Sequence, residues 1–332
     1  MSAWLPTAPC TPEACVSGSV ATVPVPRRVL RCAVLAAVLA VGFALAPVLA
    51  RPGRAGAGAH AGPEAPPREL PAERLMRGWT RLLVAALGVR ISAAVPPRSA
   101  SAGVGPGALL VANHVSWLDI LLIGALRPGR MLAKTEVRGW PLFGRLAAGI
   151  GTIFIERDRL RALPRTVEEV AAALRRGEDV VVFPEGSTWC GRGGGRFRPA
   201  AFQAALGAGA PVQPVVIRYR LAGGEPTTAP AFVGDDGLLA SVWRVAGVRG
   251  LVAEVTLLPE IPAGRHLERR ALARAAQASV QGRPGRPHPG HLHPGHVHPG
   301  HPEPAHSQPG QSNPGHPHPG HPQPRRLAGH PS

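Results

Sequence analysis

The chain has 332 residues, including 41 Gly and 39 Pro, and a formal net charge of +17 that is nearly all arginine, Lys134 being the only lysine. That length holds one domain of ordinary size plus extensions. The basic balance suits nucleic acid, an anionic membrane surface or acidic substrates. The nucleic-acid class is disfavoured, because the chain lacks zinc-finger spacing, an aromatic RNP-like run and a dense Lys/Arg block.

Residues 1–28 are small, polar and Pro-containing and are expected to be disordered. Arg27, Arg28 and Arg31 precede an uncharged run from Cys32 to Ala50. With Val29 and Leu30 this run reaches the length of about 20 residues that spans a bilayer, so one transmembrane helix is predicted over 29–50. Ala44-Leu45-Ala46 also resembles a signal-peptide cleavage site, but the apolar run is longer than a usual signal core and a long segment precedes it. Arginines at both ends leave the orientation open. Residues 51–71, rich in Gly, Pro and Ala, read as a linker.

Residues 72–91 place Leu75, Trp79, Leu82, Leu83, Ala86 and Leu87 at helical spacing among Arg74, Arg77, Arg81 and Arg90. This suits an amphipathic helix, lying either on a membrane surface or on the domain core. Short apolar runs at 108–112, 152–155, 180–183, 212–218 and 252–258 then read as strands. Between two of them Thr166 and Glu169 form a capping-box pattern, and Val167, Val170, Ala171 and Leu174 share one face. Gly177 suits the position just past that helix. The βαβ rhythm predicts an α/β domain over 72–281, with a mostly parallel sheet flanked by helices.

From Gly282 to Ser332 the chain becomes His/Pro/Gly repeats holding 11 of its 14 histidines. Such a composition buries no core, so a disordered tail is expected. It either binds zinc, nickel or copper loosely or has no metal role. The four cysteines, Cys10, Cys15, Cys32 and Cys190, form no C-x-x-C pair, so neither a disulfide framework nor a zinc site is expected. Within the domain only Cys190 occurs, which fits a reducing compartment.

The chemistry centres on Asn113-His114-Val115-Ser116-Trp117-Leu118-Asp119, directly after an apolar strand. Acyl transfer to a hydroxyl needs a base to take the hydroxyl proton, and neutral imidazole suits that role near neutral pH. A neighbouring carboxylate fixes the tautomer and stabilises the imidazolium. Residues five apart on one straight helix lie about 140° apart. His114 and Asp119 therefore meet only if His114 lies in the turn before the helix and Asp119 in its first turn. Ser116 then serves as N-cap, with Asp119 three residues on. The same spacing also reads as a capping box in which Asp119 is structural.

Gly151-Thr152-Ile153-Phe154-Ile155-Glu156-Arg157 ends a second strand with an arginine, and Phe183-Pro184-Glu185-Gly186-Ser187 ends a third with a carboxylate and a glycine. Ligands of α/β sheets bind beyond the carboxyl ends of the strands. Together with the apolar run around Pro214, these are four ordered blocks: N-H-x4-D, G-x-x-F-x-x-R, F-P-E-G-S and an apolar block with a proline. In these blocks the chain resembles the 1-acylglycerol-3-phosphate acyltransferases and their glycerolipid acyltransferase relatives over roughly residues 108–220. The resemblance implies that His114 is the base and Asp119 its partner. It further implies that Arg157, Glu185, Gly186 and Ser187 bind the acceptor, and that Pro214 lies in an apolar wall. It implies acyl-CoA or acyl carrier protein as donor, no cofactor, membrane lipids as partners, and a cell-membrane location with the catalytic domain on the cytoplasmic side.

Many family members carry Arg after E-G-T, whereas here Ser187 is followed by Thr188 and Trp189. That departure keeps open an amino-lipid acceptor such as lyso-ornithine lipid. Arg192, Arg196 or Arg198 is available to replace the missing charge. The reading from another class is a non-enzymatic membrane protein with a metal-binding tail. The Gly191–Gly195 stretch suits an ordinary surface loop better than a lid.

Overall fold

The computed structural model describes residues 8–16, 20–49, 71–95, 107–139, 143–149, 151–156 and 159–282. They begin with α1 (Pro12–Cys15), α2 (Val25–Leu49), α3 (Pro71–Ala86), β1 (Arg90–Ala94), β2 (Leu109–Ala112) and α4 (Leu118–Leu126). There follow β3 (Arg130–Lys134), α5 (Thr135–Arg138), α6 (Phe143–Gly149), β4 (Ile153–Ile155), α7 (Leu163–Arg175) and β5 (Val180–Val182). The last elements are α8 (Ala200–Ala208), β6 (Val212–Leu221), α9 (Leu238–Gly247), β7 (Leu251–Leu257) and α10 (Arg269–Gln281).

The strands form one seven-stranded sheet in the order β1-β7-β6-β2-β5-β3-β4. Every neighbouring pair is parallel except β6 with β7. The central strands are short unbroken apolar runs because both their faces are covered. Leu110, Ala112, Val215 and Ile217 pack with Leu83, Leu87, Leu118 and Leu122 on one face. Leu109, Val111, Val212 and Val216 pack with Val170, Leu174, Phe202 and Leu272 on the other. The mostly parallel, helix-flanked sheet expected from the sequence is present. By strand alternation Pro214 falls on the same face as Val212 and Val216, away from α4.

α7 begins three residues before Thr166, with Pro164 in its first turn, so the capping box at Thr166 does not form. Thr166 is instead buried, and Glu169 pairs with Arg165. The far end is as expected. Gly177 has φ +80°, its amide donates to the Leu174 carbonyl, and that of Glu178 donates to Ala173, which closes the helix in a Schellman turn.

The segment 1–28, expected to be disordered, is built into the domain over part of its length. Thr22 makes a β-bridge with Val248, and Thr11 caps α1 through its hydroxyl. Arg28 lies 4.9 Å over the Trp243 ring, and Arg31 donates to the carbonyls of Ala246 and Val248 at 2.8 and 3.2 Å. These arginines, read in the sequence as flanks of a spanning helix, instead fix α2 to the α9 end. Trp79 adds a bond from its Nε1 to the Val38 carbonyl at 3.0 Å and fills the space left by Gly42.

Among the described residues, no helix is long and apolar enough to cross a membrane. α2 contains most of the predicted 29–50 segment and lies along α3 and α9. The expected linker and tail, apart from Pro71 and Gly282, lie outside the described residues, as does Arg157.

Candidate active site

Two loops that leave carboxyl ends of central strands, the first after β2 and the second after β5, build the site with one side chain of β6. Asn113 locks that strand to β6 by accepting from the Ile217 amide at 2.8 Å and donating to the Ile217 carbonyl at 2.9 Å. A side-chain amide carries the separate acceptor and donor that this residue's N–H and C=O require. His114 comes next, in the turn before α4, and Asp119 stands in the first turn of that helix.

His114 Nδ1 lies 2.9 Å from Asp119 Oδ2. The same oxygen accepts from the amides of Val115 at 2.7 Å and Ser116 at 2.9 Å. Asp119 Oδ1 accepts from the Tyr219 hydroxyl at 2.5 Å. Four donors thus converge on a carboxylate with no exposure to solvent. Asp119 is therefore both a helix cap and the partner of His114, and the two readings left open by the sequence describe one geometry. The N-terminus is shifted by one residue from expectation: Trp117 is the N-cap, and Ser116 Oγ accepts from the Leu118 amide at 3.3 Å. Because an ionised carboxylate only accepts, Nδ1 carries the proton and Nε2 the lone pair.

The Phe183 ring stacks on the imidazole, with centroids 3.9 Å apart and planes 15° apart. Phe183 opens the turn after β5, in which the Gly186 amide donates to the Phe183 carbonyl at 3.0 Å. Pro184 suits the second position of such a turn, and Gly186, with φ +77°, suits its end. Ser187 is half-buried in the following bend.

Glu185 is only 4% exposed, and both its oxygens are engaged by backbone. Oε2 accepts from the His114 amide at 2.8 Å and Oε1 from the Gly195 amide at 3.1 Å. The carboxylate expected at the acceptor therefore holds the His114 backbone and the 191–195 loop in place. Burial pushes its pKa up from 4.5 to about 7, with the Asp119 charge adding to the rise and the two amides opposing it. Two of the glycines of 191–195 have a packing reason: a Cβ on Gly194 would stand 2.7 Å from Glu185 Oε1, and one on Gly195 would stand 2.6 Å from Trp189 Nε1. The Trp189 amide in turn donates to the His114 carbonyl at 2.7 Å, and the Thr188 hydroxyl donates to the Phe232 carbonyl.

Tyr219 was not singled out from the sequence, and Phe183 was read only as the first residue of its block, without its stacking on His114. The signal for Tyr219 was available. It is the only tyrosine of the chain, it alternates with Val215 and Ile217 in a strand, and a buried hydroxyl needs a partner. Burial, with the Asp119 charge, holds that hydroxyl well above its ordinary range, so it stays protonated and donates. Trp117 donates from Nε1 to Ser241 Oγ at 3.1 Å.

The sequence profile of the family described as Acyltransferase matches residues 89–218. A lyso-ornithine lipid O-acyltransferase of Pseudomonas aeruginosa is 43% identical over 213 residues, covering 63% of this chain and 78% of the relative. A 1-acyl-sn-glycerol-3-phosphate acyltransferase of Neisseria gonorrhoeae is 36% identical over 175 residues, covering 53% of this chain and 68% of the relative. The crystal structure of the 1-acyl-sn-glycerophosphate acyltransferase PlsC from Thermotoga maritima superposes with a TM-score of 0.54 at 18% identity. It covers 77% of this chain and 93% of that one, a likeness of fold alone.

Proposed function

The chain belongs to the acyltransferase family, and from that premise we propose that it acylates the free hydroxyl of a lysophospholipid, 1-acyl-sn-glycerol-3-phosphate, giving phosphatidic acid. The observation that carries this reading is the His114–Asp119 pair at the carboxyl end of β2. The acceptor hydroxyl gives its proton to His114 Nε2 as its oxygen attacks the acyl thioester carbonyl. The imidazolium that forms is stabilised by Asp119. Collapse of the tetrahedral intermediate forms the ester and expels a thiolate, which takes the proton back. Acyl-CoA or acyl carrier protein supplies the thioester. No cofactor enters these steps. Arg157, two residues past β4, holds the phosphate through its planar fork of donors. Gly186 and Ser187 shape the acceptor side of the loop that Glu185 fixes.

Two observations favour lyso-ornithine lipid as a second acceptor. The Pseudomonas relative with that activity matches at 43% identity. At the position where many family members carry Arg, Thr188 is turned inward to the Phe232 carbonyl. Both acceptors should be offered to purified protein at equal acyl-CoA or acyl carrier protein, with His114→Ala as control. Phosphatidic acid formed by the wild type alone is the expected result. Ornithine lipid alone would transfer the assignment to the second reading, and no product with any donor would sink both.

Membrane association is part of the proposal. α2 is apolar nearly all round but buries only one stripe, including Leu35. Val25, Val29, Leu30, Val34 and Val41 are exposed, as are Leu75 and Leu82 of α3. Apolar surface of this kind on a basic protein suits an anionic bilayer. Replacing Leu30 and Val34 by Ser is expected to weaken binding to anionic vesicles about tenfold without lowering the unfolding temperature. Unchanged vesicle binding would place the membrane contact elsewhere.

A further inference from the structure

Cys10 and Cys15 stand as a C-x4-C pair in the sequence, and folding brings the distant Cys190 to them. The sulfur atoms of Cys10, Cys15 and Cys190 all lie within 4.8 Å of one another, and all three residues are buried. None is in a disulfide. Cys10 lies two residues before α1 and Cys15 is its last residue, the turn being closed by bonds from the Cys15 and Val16 amides to the Thr11 and Pro12 carbonyls. Cys190 follows Trp189, whose amide is bonded to the carbonyl of His114. A close approach holds the N-terminal strap in place: a Cβ on Gly234 would meet Pro12 Cδ at 3.2 Å and the Cys10 carbonyl oxygen at 3.3 Å.

We infer that Cys10, Cys15 and Cys190 form a three-thiolate site for one thiophilic d10 cation, zinc or copper(I), that fastens the N-terminal segment to the loop beside His114. Three thiolates around such an ion at about 2.3 Å stand about 3.8–4.0 Å apart, so thiols already within 4.8 Å of one another need only a small closure. Thiolate sulfur selects these soft and borderline cations over magnesium or calcium. Among the described residues no fourth His, Cys, Asp or Glu joins the group, so copper(I) would be three-coordinate and zinc would take a water as fourth ligand. Each thiol gives up its proton as its sulfur bonds the ion, so uptake releases protons to solvent.

The histidines of the tail also bind metal ions in principle, so the test must report thiolate alone. Reduced full-length protein is titrated with cadmium while the thiolate-to-metal charge-transfer absorption, which imidazole does not give, is followed. Saturation at one equivalent is expected, and the band should be missing from the Cys10→Ser/Cys15→Ser/Cys190→Ser variant, which keeps the tail and Cys32. Preloading with zinc or with copper(I) decides between the two ions by which of them suppresses the band. A second measurement avoids the variant altogether. One equivalent of the effective ion should slow alkylation of Cys10, Cys15 and Cys190 in the wild type, read by peptide mass, and leave Cys32 unchanged. No band, a band that survives the triple substitution, or equal protection of Cys32 would overturn the site. Conversion of two of the three thiols to a disulfide without metal uptake would overturn it as well.

Discussion

Asp119→Asn is expected to lower turnover about 10³- to 10⁴-fold while leaving the fold intact. The asparagine carbonyl can still accept from the amides of Val115 and Ser116, and its NH2 can donate to the Tyr219 oxygen, so the cap on α4 survives. The negative charge that stabilises the imidazolium does not survive. Asp119→Ala removes cap and charge together and is expected to lose stability as well as activity. His114→Ala removes the base itself and is expected to cost about 10²- to 10⁴-fold in turnover. Because the two side chains act as one unit, the double variant His114→Ala/Asp119→Asn should be no slower than the worse single variant. Turnover of purified proteins at saturating donor and acceptor, beside their unfolding temperatures, checks all four. Strictly additive losses, or an Asp119→Asn enzyme at wild-type speed, would separate the pair and remove the proposed base–orienter relation.

The sequence carried the central strands because they are buried on both faces and so read as short unbroken runs of Val, Leu and Ala. It did not carry β1 or β3. Arg90-Ile91-Ser92-Ala93-Ala94 is largely exposed and has no alternation; its strand state comes from parallel pairing with β7 over five residues. Arg130-Met131-Leu132-Ala133-Lys134 is half-buried along most of its length and is likewise organised by its neighbours. At the site, the His114–Asp119 geometry was legible because one turn and one helical turn fix it locally. The roles of Tyr219 and Glu185 were not, since each depends on a contact far along the chain. Tyr219 reaches Asp119 across 100 residues, and Glu185 reaches the His114 amide across 71. The three-cysteine cluster is the extreme case, because Cys190 meets Cys10 and Cys15 only after the N-terminal segment has docked.

Stability should fall as pH rises through the range in which Glu185 titrates. In the unfolded chain this carboxyl ionises near 4.5, and in the fold burial raises it to about 7. Between those values the folded state holds the proton that the unfolded state has released. The stabilisation is thus complete below 4.5 and is lost as pH rises through about 7. The full change corresponds to about 3 kcal/mol for a group this deeply buried. Glu185→Gln does not titrate, and it keeps an acceptor for only one of the two amides from His114 and Gly195. It is therefore expected to be less stable than the wild type at pH 4.5, by about 1–3 kcal/mol for the unmatched amide. The difference should shrink or reverse by pH 8, because only the wild type then carries an ionised carboxylate beside Asp119. Urea unfolding of both proteins across pH 4.5 to 8 measures this directly, since every other titrating group is common to the two. A constant gap between the curves would mean that Glu185 ionises at the same pH in both states. It would then hold the His114 backbone as an ordinary carboxylate, with no link between its proton and the geometry of the site.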